Sequence, residues 1–282
     1  MVLIALSVLC GCGSESSDSR TPQDDAPPAL TPLPAVELPA YEFIANNGPI
    51  VILMAMDMHT TLYTNSMGGV VSDLLSAGFS LLALDLPCHG TDATEPAKFE
   101  LVCWRKRIEG GDTEMFRRFC SGLSLVLDQI GATEASVVGQ SRGGYVGVTC
   151  AAYDDRIRNI ALLSPVTDLQ RLTEFDGYAV DQHVFGLAQF APYIVDRHIM
   201  IRIAADDSRV GTEAAVTFGH LVNADIRLVD FVGHVPPEDG STTAWLLEQH
   251  HGPTFVSSRK ETPPLSVAPL IGLSMMSISA AT

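Results

Sequence analysis

Several stretches of this chain are apolar without alternation, and that property constrains the fold more than any other. Pro49-Ile50-Val51-Ile52-Leu53-Met54-Ala55 is one such run, and Phe79-Ser80-Leu81-Leu82-Ala83-Leu84, ending at Asp85, is a second. A strand with one face in water alternates apolar and polar residues, whereas a strand covered on both faces reads as a continuous run. Residues 69–78, between the two runs, read as a helix closed by Gly78. Strand, helix and strand in that order form a parallel crossover unit. The alternation continues along the chain. Residues 114–130 are helical by period, with Phe116, Phe119, Leu123, Leu127 and Ile130 on one face and Gly131 closing it. A strand at 135–140 leads into a helix at 142–153. Strands follow at 157–166, 199–203 and 226–231, with helices at 212–223 and 243–249. The pattern predicts a mostly parallel sheet with helices on both faces. Residues 56–61 read as a loop, 91–112 as polar and irregular, and 167–197 as a long insertion. No internal repeat is visible.

At 282 residues the chain can bury a full core and is expected to form one large domain, over residues 41–251. A formal charge of −16 leaves no basic face to neutralise phosphates, which argues against nucleic acid as a partner. Residues 1–12 read as an export segment, with Met1 to Gly11 apolar and Leu9-Cys10-Gly11-Cys12 at its end. This end resembles a bacterial lipoprotein processing site, which makes Cys12 the lipidated residue. No Lys or Arg precedes the run and it is short for a secretory signal, which a start upstream of Met1 explains. It is too short to span a bilayer. Residues 13–40, rich in Ser, Pro and Asp and without periodicity, have the composition of a disordered tether. Together the two segments imply a domain folded in water and held at a membrane surface through a lipid anchor alone. Residues 252–282 are expected to be a disordered or loosely docked tail.

The stretch Ala135-Ser136-Val137-Val138-Gly139-Gln140-Ser141-Arg142-Gly143-Gly144 reads as a buried strand, an abrupt turn and the first turn of a helix. Ser141 sits at the tip, bracketed by Gly139 and Gly143. A serine in this position takes a strained, usually positive-φ conformation that pushes its hydroxyl out of the sheet. Residues two places to either side must then lack side chains that would clash across the turn. Parallel sheets gather functional groups at the carboxyl ends of their strands. Ser141, Asp207 and His234 all fall at predicted strand ends, so the three are expected on one rim.

Over residues 41–251 the chain resembles the α/β-hydrolases, and most closely their dienelactone-hydrolase and prolyl-oligopeptidase-like branch. The resemblance is carried by Gly139-Gln140-Ser141-Arg142-Gly143-Gly144, Asp85-Leu86-Pro87-Cys88-His89-Gly90, Asp207-Ser208-Arg209-Val210 and Gly233-His234. It implies the α/β-hydrolase fold, with the insertions at 87–112 and 167–197 forming a lid or pocket wall. It also implies a serine hydrolase acting on small-molecule carboxylic esters through an acyl-enzyme, with nucleophile, acid and histidine in that chain order. Ser141 is then the nucleophile. Of the eight histidines only His234 follows the last strand directly, behind a glycine, which marks it as the base. Asp206 and Asp207 are adjacent. The family's spacing, with the carboxylate three residues before a valine, selects Asp207 to hold the imidazole. The oxyanion hole is expected to use the main-chain N–H groups of Arg142 and Asp57, the latter where the family usually carries His-Gly. His89 is expected to serve the turn structurally. Two other readings keep the fold: a prolyl-oligopeptidase-like peptidase with the same three residues, and a non-catalytic binding lipoprotein.

Other motifs point elsewhere or nowhere. Trp104-Arg105-Lys106-Arg107 reads as a solvated helix face, with a substrate-carboxylate role as the alternative. Cys88, Cys103, Cys120 and Cys150 lie outside the leader. Cys103 with Cys120 is one pairing open to them in an oxidising compartment, although sequence does not set the connectivity. No His/Cys cluster has metal-ligand spacing and no glycine-rich phosphate loop occurs, so neither metal nor cofactor is expected.

Overall fold

The apolar runs form the centre of the molecule. The structure, a computed structural model, describes residues 38–93 and 100–251. The expectations for residues 1–12, for Cys12, for the tether up to residue 37 and for the tail at 252–282 lie outside the described residues. Seven strands make one sheet: β1 Tyr41–Ile44, β2 Ile50–Met54, β3 Ser80–Leu84, β4 Ala135–Gln140, β5 Ile157–Leu163, β6 His198–Asp206 and β7 Asp225–Val232. Their spatial order is β1-β3-β2-β4-β5-β6-β7, and every neighbouring pair is parallel except β1 with β3. The helices are α1 Met58–Tyr63, α2 Val70–Ser76, α3 Glu100–Glu109, α4 Met115–Gln129, α5 Arg142–Tyr153, α6 Gln182–Phe185, α7 Ala191–Ile194, α8 Thr212–Leu221 and α9 Ser241–His251.

The continuous runs are explained by burial on both faces. In β2, Val51 and Leu53 join one apolar cluster with Val70, Leu74 and Trp245, while Ile52 and Met54 join the other with Trp104, Phe116 and Val146. Core therefore lies above and below the central strands, as an apolar sequence without alternation requires. At about 25 cal/mol per Å² of apolar surface removed from water, this double burial is the main force holding the sheet.

Four expectations need correction. Residues 56–61 are not a loop throughout, because Asp57 accepts a hydrogen bond from Thr60 N at 2.8 Å and so caps α1. Residues 91–112 are not irregular throughout, because Glu100–Glu109 is helical with Leu101, Trp104 and Ile108 buried at helical spacing. Trp104 is not on a solvated face: it is fully buried, and its indole N–H donates to Pro87 O at 2.7 Å. The disulfides are Cys88–Cys103 and Cys120–Cys150, not Cys103 with Cys120. The first joins the turn after β3 to α3, and the second joins α4 to α5. Strand β1 and the extension of β6 to Asp206 are additions to the expected elements.

Candidate active site

The turn after β4 has the strain that its sequence implies. Ser141 has φ 52° and ψ −117°, and three main-chain bonds hold it there. Its N–H donates to Leu163 O at 2.9 Å, and its carbonyl accepts from Gly144 N and Val166 N, each at 3.0 Å. The flanking glycines are sterically required. A Cβ on Gly143 would overlap Met54 O, and one on Gly139 would sit 2.6 Å from Gly143 O. The turn is thus wedged against the end of β2, whose Met54 lies beside Gly139 in the sheet register.

The three residues expected on one rim meet there. His234 Nε2 lies 2.9 Å from Ser141 Oγ, and His234 Nδ1 lies 2.9 Å from Asp207 Oδ2. A carboxylate can only accept, so Nδ1 carries the proton and Nε2 is left free to accept from the serine hydroxyl. Asp207 is 2% exposed, and its other oxygen accepts from Arg209 N at 3.1 Å and Val210 N at 3.3 Å. Burial works to raise the Asp207 pKa, but the hydrogen bond and charge of His234 and the N–H of Val210 hold it below the ordinary aspartate value. Asp206 is exposed; it is still paired in the sheet, and its carbonyl accepts from Gly233 N at 3.1 Å. His234 is reached through Gly233, at φ 124°, and is followed by Val235 at φ 59°. Its side chain stays partly open to solvent.

Among the described residues, neither expected oxyanion donor bonds another residue, although the Asp57 N–H faces its own carboxylate. Met56 N donates to Thr61 Oγ1 at 3.2 Å and Met58 N to Asp85 Oδ1 at 2.9 Å, leaving the Asp57 N–H between them without another residue as acceptor. The Arg142 N–H opens α5, where the first main-chain donors of a helix have no partner within it. Burial pulls the Arg142 guanidinium below the usual arginine value, and the Glu100 carboxylate offsets part of that.

Two supporting residues were not foreseen. Ser164 directly follows β5, fully buried at φ 44°, where its hydroxyl accepts from Val235 N at 3.3 Å and helps to hold the Asp207 carboxyl low. A polar residue at a strand end on the functional rim was the available signal. Glu100 is the second, 3% exposed and 2.7 Å from Arg142 Nη1. His89 lies in the turn as expected, fully buried, with Nδ1 2.8 Å from Pro87 O. The insertion is strapped across from two sides: Arg209 grips both oxygens of Glu174, at 2.6 and 2.8 Å, and Arg105 donates to the carbonyls of Glu174 and Asp176. Among the described residues no group of three or more His, Cys, Asp or Glu side chains is placed to hold a metal ion.

Residues 58–192 match the family described as alpha/beta hydrolase fold. No curated protein matches the chain. Among solved structures, Est1E from Butyrivibrio proteoclasticus, with ferulic acid bound, superposes with a TM-score of 0.54 at 15% identity, covering 75% of this chain and 93% of its own. MGS-MChE2, an alpha/beta hydrolase enzyme from a lagoon-sediment metagenome of Mar Chica, Morocco, gives 0.52 at 14% identity, with 74% and 94% covered. Acetyl xylan esterase 1 from Thermoanaerobacterium sp. gives 0.52 at 16% identity, with 73% and 77% covered. At such identities the likeness is one of fold.

Proposed function

This chain has the α/β-hydrolase fold, and on that premise we propose that it is a serine hydrolase cleaving carboxylic esters through an acyl-enzyme. The observation that carries the reading is the unbroken relay from Ser141 Oγ through His234 to Asp207, both links at 2.9 Å. A serine hydroxyl is a poor nucleophile at neutral pH and needs a base within hydrogen-bond reach. His234 Nε2 takes the hydroxyl proton as Ser141 Oγ attacks the ester carbonyl, and the Arg142 and Asp57 N–H groups receive the oxyanion. His234 then returns the proton to the departing alcohol. Water, activated by the same imidazole, releases the acid and restores the hydroxyl. Asp207 keeps the imidazole oriented and stabilises its cationic form without taking a proton. That acetyl xylan esterase 1 is an esterase by name favours esters as the substrate class.

Export, with anchorage through Cys12, belongs to the same proposal. It is supported by the disulfides Cys88–Cys103 and Cys120–Cys150, a kind of bond that persists outside reducing compartments. The test of the chemistry is labelling of the purified protein with a fluorophosphonate probe, alongside turnover of short-chain p-nitrophenyl esters. Wild type is expected to label and turn over, and Ser141→Ala to do neither. Undiminished labelling of Ser141→Ala would remove the nucleophile from the proposal.

A further inference from the structure

One buried charge cluster lies outside the relay. The Glu100 carboxylate, at the first residue of α3, is 3% exposed, and His89 beside it is fully buried. Both meet the guanidinium of Arg142: Nη1 is 2.7 Å from Glu100 Oε2 and 3.0 Å from His89 Nε2, and those two acceptors are 3.1 Å apart. One protonation pattern satisfies the contacts to Pro87 and to Arg142. Pro87 O can only accept, so His89 Nδ1 carries the ring proton and Nε2 is an acceptor. The two hydrogens on Arg142 Nη1 then go one to the carboxylate and one to the imidazole. A carboxylate and a guanidinium are costly to remove from water, and such a pair contributes little net stability compared with apolar packing of the same volume. The location of this pair suggests another use. Arg142 immediately follows Ser141, and its main-chain N–H is one of the two donors that the proposed hydrolysis aims at the oxyanion.

We propose that Glu100 is a positioning residue: through the side chain of Arg142 it fixes the first residue of α5, and so the aim of the oxyanion N–H beside Ser141. The inference rests on the serine-hydrolase reading above. Glu100 can serve as a fixed point because α3 is itself immobilised at that end. Cys103, one helical turn from Glu100, is bonded to Cys88 next to His89, and Trp104 donates to Pro87 O. Two ties thus join the first turn of α3 to the turn at residues 86–90, and Arg142, bonded to both Glu100 and His89, bridges the same two segments. An oxyanion donor contributes on the order of 10²–10³-fold to turnover, and it does so only when its geometry is held closely. The donor strengthens its bond as the carbonyl becomes tetrahedral, so misaiming it lowers kcat and spares KM.

The experiment compares full-length wild type with Glu100→Gln and Glu100→Ala on p-nitrophenyl acetate. kcat is expressed per active site titrated to completion with a fluorophosphonate, and affinity for an alkyl boronic acid that mimics the tetrahedral state is measured in parallel. Glu100→Ala is expected to lose about tenfold or more in kcat with KM within about twofold, and boronate affinity to fall in step with kcat/KM. Glu100→Gln retains an acceptor for Arg142 and is expected to lose about threefold, which keeps the proposal testable if the alanine variant fails to fold. A purely structural Glu100 would lower the melting temperature while leaving kcat per titrated site and boronate affinity at wild-type values, and that result overturns the proposal. Loss confined to KM overturns it too. Wild type that neither labels nor turns over ester overturns the hydrolase reading, and this inference falls with it.

Discussion

Replacing Asp207 by Asn tests the relay where its geometry is most definite. Asp207 Oδ1 accepts from Arg209 N and Val210 N, and Oδ2 faces His234 Nδ1. An asparagine has one acceptor and one donor end. Two N–H groups require the oxygen on the loop side, so the NH2 points at His234 Nδ1. That nitrogen must then accept, the ring proton moves to Nε2, and Nε2 can no longer take the proton of Ser141 Oγ. The expected loss in kcat is on the order of 10³–10⁴-fold, about 4–5.5 kcal/mol in the barrier. The fold is expected to remain, because both loop bonds are kept. The matched control is Asp206→Asn. That side chain is exposed, and the residue is held by its main chain in the sheet, so kcat is expected to stay within about twofold. The assay is p-nitrophenyl acetate turnover at pH 8, with the melting temperature followed by circular dichroism. Equal losses in the two variants, or a loss in Asp206→Asn alone, would refute the reasoning.

Two further predictions concern stability. The disulfides close chain separations of 15 and 30 residues, for which loop entropy gives about 3 and about 3.6 kcal/mol. The double variants Cys88→Ala/Cys103→Ala and Cys120→Ala/Cys150→Ala should each lower urea-unfolding stability by roughly that amount, and no change in either would refute the pairing. In Asp112, Asp154, Glu174 and Asp207, burial works to raise the pKa, but bonds from Arg118, Arg156, Arg209 and His234 respectively outweigh it and leave all four lowered. A carboxyl with a folded pKa below its unfolded one stabilises above the unfolded value and loses that contribution as pH falls through the folded value. The melting temperature should therefore fall steeply only below about pH 4, and a main transition near pH 6 would count against these four groups as its cause.

What was legible in the sequence is what local pattern and burial decide together. Strands β2 to β5 are buried on both faces, so their apolar runs announced them. The helix α5 begins at Arg142 as expected because the Ser141 turn is fixed by close backbone contact. Strand β1 escaped notice because it has four residues on a sheet edge, half-buried throughout, and little pattern to show. Helix α3 was hidden by its charges: Arg105 and Arg107 suggest a solvated face, while Leu101, Trp104 and Ile108 carry the buried stripe between them. Its charged residues find partners far along the chain, Arg105 at Glu174 and Asp176, and Glu100 at Arg142. Partners of that kind leave no periodic trace. Ser164 and Glu100 were missed for the same reason, since their roles depend on what the fold sets opposite them.

The choice between Asp206 and Asp207 shows how the sheet completes what family spacing suggested. Strand β6 does not stop at Ile203 but runs to Asp206, which pairs with Val232 across a register shift. The Asp206 carbonyl accepts from Gly233 N, so this residue is still part of the ladder and its carboxylate remains in solvent. Asp207 is the first residue past the ladder. There the chain turns, Thr212 Oγ1 accepts from Asp207 N at 2.9 Å, and the side chain points inward to bond Arg209 N and Val210 N. The same Gly233 that closes the ladder on Asp206 releases the next residue, His234, toward Asp207. Strand extension by this short segment therefore determines at once which carboxylate is buried and where the imidazole lands. A chain with β6 one residue shorter would have presented its neighbour instead.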